Sequence, residues 1–371
     1  MKRLGSLLLL VPLAASVQAA GLPDGMYAEI TTPRGVITCE LEYTKAPLTV
    51  TSFVGLAEGT LGPAPRKPFF DGLKFHRVVA NFVIQGGDPL GTGEGGPGYA
   101  FPDEFGPGLS HGSVGVLSMA NDGPDTNGSQ FFITLSPVAR LNYLYSVFGH
   151  TVRGIDVLPK VDQGDAMQVR IIRIGPAAQA FRADDASFRQ RLAAAAKYGN
   201  EKEPGPKAHF DDPGKLFPAD PPRAQYINFK LNNVDRATGV RIDIRVLPRF
   251  VAEPGAETPG ALADGLAHAL GTDENGVLAI YIADRNEWFL RVGKDMVGRF
   301  TGLPGEPQEL IDNGSLRKAE SDFLVKSQAL AAKYLAESAI ILPNILQTDP
   351  QRIKASVDAI VDGLISKLIE Q

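Results

Sequence analysis

One cysteine, one tryptophan and five histidines are spread over 371 residues. With Cys39 alone, no disulfide can close within the chain. The histidines are His76, His111, His150, His209 and His268, and no two stand at metal-ligand spacing. No metal site is therefore expected. Positive charge is in short supply too. A net charge of −5 argues against nucleic acid or an anionic membrane surface as a partner. After residue 20 no apolar run is long enough to span a bilayer. Cys39 sits in the alternating segment Gly35–Tyr43, which turns it inward, the usual place of a lone cysteine. A single thiol also suits an oxidising compartment.

What is present begins with an export pattern. Lys2-Arg3 precedes an apolar run from Leu7 to Ala15 and then small residues at 16–20. Basic, apolar and small segments in that order read as a signal peptide, residues 1–20, removed after Ala19 or Ala20. The alternative is a retained anchor helix, for which the run is short against the roughly 20 residues a span needs. The expected location is periplasmic or otherwise exported from a bacterium, with no stable membrane insertion after cleavage.

The length suggests more than one domain, and 44% hydrophobic residues allows a core in each. Residues 21–176 carry many short strand signals and few helices. Met26–Thr32 and Val36–Tyr43 flank a turn at Pro33-Arg34-Gly35. Ala46–Leu56 reads as a helix, and Val114–Met119, Gln130–Leu135 and Met167–Ile174 as further strands. That pattern predicts a closed antiparallel β-barrel. Residues 177–222 read as a polar helix, from Phe181 to Tyr198, and a Pro-rich linker. Residues 223–371 interleave strands (Val240–Leu247, Gly276–Ala283, Glu287–Val292) with helices (Gly260–Leu270, Leu316–Glu337, Gln351–Glu370). That predicts a smaller α/β domain.

Three blocks in the first domain carry more information. They are Phe75-His76-Arg77…Asn81-Phe82-Val83-Ile84-Gln85-Gly86-Gly87-Asp88, then Ala120-Asn121…Asn127-Gly128-Ser129-Gln130-Phe131-Phe132, then Tyr145-Ser146-Val147-Phe148-Gly149. In this order they resemble the cyclophilin family of peptidyl-prolyl cis-trans isomerases, over about residues 26–175. Taken singly, each apolar residue among them fits an ordinary core position and each polar one a surface. The order and spacing of the whole set are what carry the resemblance.

The resemblance implies an isomerase acting on proline-containing segments of unfolded or extended proteins. Arg77 is then the catalytic donor and Gln85 its partner. Phe82, Val83, Phe132 and Leu141 form the proline pocket, with Tyr145 at its edge. The backbone of Asn121, beside Ala120, binds the residue before proline as a strand-like segment. The chemistry agrees with these residue types. Rotation about X–Pro breaks amide resonance, a barrier of roughly 18–20 kcal/mol, while cis and trans differ by only about 0.5–1 kcal/mol. Neither a nucleophile nor a metal is required, and no cofactor is implied. The catalyst needs a grip on proline and a donor for the twisted nitrogen, and a guanidinium is always charged with five donors. Two positions depart from the common pattern. Arg140 stands where many members have Trp, and Tyr145 where many have His, so cyclosporin is expected to bind weakly.

Other motifs read differently. Gly91-Thr-Gly-Glu-Gly-Gly96 fits a dinucleotide fingerprint, but Pro97 follows where a helix must start, so a surface loop is expected. Gly108-Leu-Ser110-His-Gly112 fits the hydrolase elbow without its strand–turn–helix context. Asn275–Arg285 with Arg291-Val-Gly293 resembles the TPM-type domain, some members of which are linked to phosphatase activity or divalent cations. Asp284 and Asp295 are its possible ligands, or solvated turn acids. Besides the isomerase, two readings stay open: a peptide-binding chaperone module with little catalysis, and a C-terminal hydrolase or cation-binding domain carrying the main activity.

Overall fold

The structure, a computed structural model, describes residues 21–195, 197, 203–218, 223–341 and 349–369. The expected export segment, 1–20, lies outside the described residues, as do 198–202 and 219–222 of the expected linker.

Strands β1 (Gly25–Thr32) and β2 (Gly35–Leu41) form the expected hairpin, closing at the Thr32–Gly35 pair. β3 (Arg77–Val79), β4 (Val83–Gly86), β5 (Val116–Met119), β6 (Phe131–Thr134), β7 (Val147–Arg153) and β8 (Gln168–Ile174) complete one antiparallel sheet. Its order is β3-β4-β6-β5-β7-β2-β1-β8. The expected closed barrel is not formed as a continuous ladder. β3 has only three residues, and the two ends of the sheet meet through one bridge, Lys74 to Ala166. Main-chain bonds from Phe75 N to Asp165 O (2.9 Å) and from Met167 N to Leu73 O (2.8 Å) flank it.

Helix α1 (Pro47–Glu58) is buried on every side from Leu48 to Ala57 rather than along one stripe. It tolerates this because its hydroxyls are satisfied: Thr49 bonds Glu104, Thr51 bonds Pro47 O and Ser52 meets Tyr99. Phe53 packs against Phe70, Phe131 and Phe148 with centroids 5.0–5.5 Å apart. Helix α2 (Asp185–Ala194) is capped reciprocally by Asp184 and Ser187. Its Phe188 enters the same core, 5.0 Å from Tyr99 and 6.1 Å from Phe101. The core of this unit therefore extends past residue 176, where the sequence reading closed it.

The second sheet has the order β12-β11-β10-β9, with β9 Phe210–Asp211, β10 Arg241–Leu247, β11 Gly276–Ile282 and β12 Glu287–Val292. β9, β10 and β11 run parallel, and β12 returns antiparallel. The stretch read as linker thus supplies a strand, and Ala208, His209, Phe210 and Phe217 are buried with it. Strand alternation sorts β11 between two helical layers. Leu278, Ile280 and Ile282 face α3 (Pro259–Leu270). Val277, Ala279 and Tyr281 face α4 (Arg223–Thr238), α5 (Ser315–Ile341) and α6 (Asp349–Leu368). The apolar stripe of α6 is buried as its spacing predicted, from Ile353 to Leu368. Among the described residues no helix is long and apolar enough to cross a membrane.

Candidate active site

β3 and β4 form a tight hairpin over Val79–Val83, with Asn81 at φ 58° and Phe82 N bonded to Val79 O at 3.0 Å. The register sets Arg77 directly opposite Gln85. Directly opposed side chains lie within reach of one another, and Arg77 Nη1 donates to Gln85 Oε1 at 3.2 Å. The chain of amides continues. Gln85 Nε2 donates to Gln130 Oε1 at 3.0 Å, and Gln130 Nε2 donates to the carbonyls of Gly93 (2.7 Å) and Gly95 (2.9 Å). The glycine-rich loop is thus an anchor for this row. Asp88 folds it, accepting from the backbone of Leu90, Thr92 and Gly93 at 2.5–2.8 Å. Burial works to raise the Asp88 carboxyl, but those three bonds outweigh it and the net shift is downward. Gly87, at φ 83°, has Ser129 O only 2.2 Å from where a Cβ would stand, so no other residue fits there.

The apolar half of the site follows from strand alternation. Ile84, Phe131 and Ile133 point into the core. Their neighbours Val83 and Phe132 are buried but stand outside that core cluster, on the opposite face. The Phe132 ring stacks on His111 (5.7 Å, 18°) and meets Tyr145 edge-on (5.7 Å, 86°). His111 is fully buried. Its backbone N–H and Nδ1 both reach Asn142 Oδ1, at 2.7 and 2.9 Å, and Nε2 lies 3.0 Å from Ser118 Oγ. Since Asn142 Oδ1 can only accept, Nδ1 carries the proton of the neutral ring. Burial pushes this imidazole down to about 4, and Lys230 adds to the effect while the Asn142 bond opposes it. Burial likewise lowers His76, whose ring nitrogens have no hydrogen-bond partner among the described residues.

Leu141, half-buried, ends a 3-10 turn, and Tyr145 N bonds back to Leu141 O at 3.3 Å. Two guanidinium groups approach the Phe82 ring, Arg77 at 5.8 Å and Arg140 at 5.0 Å from its centroid. Ala120 N bonds Gln130 O at 2.9 Å, closing the strand beside Asn121. Asn121 is held by its side chain, which donates to Leu144 O (3.1 Å) and Asp103 Oδ1 (3.2 Å). Burial raises Asp103 to about 6. Arg77 thus joins Gln85 and Phe82, the strand register sets Gln85 opposite Phe132, and Phe132 meets Tyr145, with Val83, Leu141, Ala120 and Asn121 on the adjoining segments. Asp284 and Asp295 are separate and exposed. Among the described residues no group of three or more His, Cys, Asp or Glu side chains could hold a metal ion.

Sequence reasoning did not assign roles to Gln130, His111 or Asn142. Gln130 stands one strand over from Gln85, which only the β4–β6 pairing reveals. Nor did it foresee that the α/β unit reaches the site. Arg140 Nη1 pairs with Glu337 of α5 at 2.8 Å, and Asn233 Nδ2 of α4 donates to Tyr143 O at 2.8 Å.

Residues 27–175 match the family model for cyclophilin type peptidyl-prolyl cis-trans isomerases. Peptidyl-prolyl cis-trans isomerase A of Mycobacterium tuberculosis is 50% identical over 132 residues, 34% of this chain and 72% of the relative. Peptidyl-prolyl cis-trans isomerase-like 1 of Mus musculus is 44% identical over 142 residues, 38% of this chain and 80% of the relative. A crystal structure of a cyclophilin type isomerase from Cryptosporidium parvum aligns at 32% identity and a TM-score of 0.36, covering 41% of this chain and 98% of that one. Through its antiparallel-sheet unit, this chain belongs to the cyclophilin family of peptidyl-prolyl cis-trans isomerases.

Proposed function

We propose that the sheet unit isomerises X–Pro bonds in exported proteins and so assists their folding. Arg77 donates to the proline nitrogen as the amide twists and its lone pair is released from resonance. Gln85 aims the guanidinium, and Gln130 fixes Gln85. Phe82, Val83, Phe132, Leu141 and Tyr145 hold the proline ring, while the backbone at Ala120 and Asn121 takes the preceding residue as an added strand. No proton transfer is needed, so His76 and His111 serve as structural groups. The observation that carries this reading is the exposed Arg77 held by Gln85 beside the Phe82 ring and next to the Phe132–Tyr145 pair. A protease-coupled isomerisation assay on a short X–Pro peptide tests it. Binding of the peptide without acceleration would favour the chaperone reading instead.

The export step rests on Lys2-Arg3, the Leu7–Ala15 run and the small residues at 16–20. A mature N-terminus at Ala20 or Gly21, read by mass spectrometry of the periplasmic fraction, is the expected result. An intact Met1 in the membrane fraction would refute it. The TPM-type likeness of residues 223–371 is supported by the Asn275–Arg285 sequence, which folds as β11 and the turn to β12. Its exposed Asp284 and Asp295 are read as solvated acids.

A further inference from the structure

Tyr145 has two neighbourhoods. One side of it is the Phe132 ring of the proposed proline pocket. The other is an open cleft that the sheet unit does not close by itself. Asn121, Pro124, Leu144 and Tyr145 form one wall, and Tyr226 and Phe229 of helix α4 form the other. The helix is built into this position. Asn233 bonds Tyr143 O at 2.8 Å, Lys230 bonds Arg140 O at 3.0 Å, and Arg236 pairs with Asp125 at 3.7 Å. Tyr226 and Arg223 also stand close enough to Tyr145 to act on its phenol, which burial raises most.

We propose that α4 is the second wall of the isomerase groove, with Tyr226 contacting the substrate side chain on the amino side of the X–Pro bond and favouring an aromatic or large apolar residue there. This rests on the reading above in which the backbone at Asn121 takes the residue before proline. That reading directs the preceding side chains toward the cleft beside Asn121. The cleft's chemistry sets the preference. Its amide side chains are already committed, Asn121 to Leu144 O and Asp103, and Asn233 to Tyr143 O. Asp103 is committed to Asn127 and the backbone of Asp125, and the rest of the lining is largely aromatic and aliphatic, with Tyr145 and Tyr226 beside Leu144 and Pro124. Tyr226 and Phe229 already stand 6.2 Å apart at 67°, an edge-on arrangement that a third ring can extend. A cyclophilin-type unit standing alone would lack this wall, because Tyr226 lies beyond the family segment, which ends at residue 175.

The test is a substrate series on the full chain: peptides with Ala, Leu or Phe before proline, assayed with the unmodified protein, Tyr226→Ala and Tyr226→Phe. An aromatic pair supports a preference of about two- to tenfold. Tyr226→Ala should reduce the Phe-to-Ala ratio of kcat/KM by that factor, through KM rather than kcat, and Tyr226→Phe should restore it. An unchanged ratio overturns the proposal. So does an equal fall for every peptide in both variants, which would mark Tyr226 as scaffold. If the unmodified protein accelerates none of the peptides, the isomerase reading fails on its own. Calorimetric titration with the Phe-Pro and Ala-Pro peptides then decides the proposal. A selective loss of Phe-Pro affinity in Tyr226→Ala supports it, and equal affinities overturn it.

Discussion

Lys230 of the α/β unit donates through Nζ to the main-chain carbonyl of Arg140, 3.0 Å away, in the turn that leads to Tyr145. The same ammonium pairs with Asp362, and both side chains are almost wholly buried, at 4% and 5% exposure. Tyr334 completes the set by donating to Asp362 at 2.6 Å. One buried cation therefore ties α4, α6 and the rim of the active site together. Removing it leaves a buried carboxylate without its counter-charge, which costs about 3–5 kcal/mol. Lys230→Met should lower the chemical-denaturation stability of the full chain by that amount and reduce kcat/KM with it. A loss below about 1 kcal/mol, the range of exposed pairs, would show that the contact is incidental.

Arg77 is exposed, so its removal should spare the fold. A charge-assisted hydrogen bond made chiefly to the twisted amide is worth about 1.5–3 kcal/mol. Arg77→Ala should therefore slow turnover roughly ten- to a hundredfold, at about 1.36 kcal/mol per decade. Arg77→Lys should also be impaired, because an ammonium lacks the planar fork that meets Gln85 and the substrate together. Gln130→Ala removes the anchor of Gln85 and the bonds to the carbonyls of Gly93 and Gly95 but leaves the guanidinium in place, so its effect should be smaller than that of Arg77→Ala. Full activity in a folded Arg77→Ala protein would sink the assignment.

The sequence discloses Arg77 and Gln85 but hides Lys230. Arg77 and Gln85 were legible because their block is contiguous and the strand register that pairs them spans eight residues. Strand alternation likewise announced the β1–β2 hairpin and the apolar β11. The Lys230–Arg140 contact joins residues 90 apart, and neither carries a local signal. α1 was legible as a helix but not as a buried one, since only the structure shows Glu104 and Tyr99 satisfying its Thr and Ser hydroxyls. The Pro-rich stretch read as linker because two strand residues, Phe210 and Asp211, are too few to show a period.

The buried imidazole of His111 gives a pH dependence with a definite sign. Its folded value is about 4, below the ordinary 6.5. A depressed value means that the fold favours the neutral ring. The contribution is fully present above pH 6.5 and is lost as the pH falls toward 4, to a total of up to about 3 kcal/mol. Asp103 acts in the opposite sense. Its folded value is about 6 against an ordinary 3.8, so its contribution is present below 3.8 and lost as the pH rises through 6. The two partly cancel between pH 4 and 6, and whole-protein stability there understates both. NMR titration of the His111 ring protons separates them. The expected midpoint lies near 4, and one at 6 or above would mean that the ring is not enclosed beneath Phe132 as described.

Phe188 decides where the isomerase unit ends. It is 7% exposed and packs against Tyr99 and Phe101, which lie almost 90 residues earlier in the chain. Ala178 and Ala183 are buried in the same core, and Thr60 bonds the carbonyl of Ala183. Asp185 pairs with Arg66 at 2.6 Å on the rim. A fragment cut at residue 176 therefore exposes Tyr99 and Phe101 and loses the Ala183 carbonyl that Thr60 bonds, whereas one cut at 195 keeps all of these contacts. Truncating a buried Phe to Ala typically costs about 3–5 kcal/mol. In the full chain Phe188→Ala should cost a similar amount in denaturant titration. Fragment 21–195 should unfold cooperatively at a higher denaturant concentration than fragment 21–176. If the two fragments share one midpoint and Phe188→Ala is neutral, the segment after residue 176 is an appendage. The boundary read from the sequence would then be the physical one.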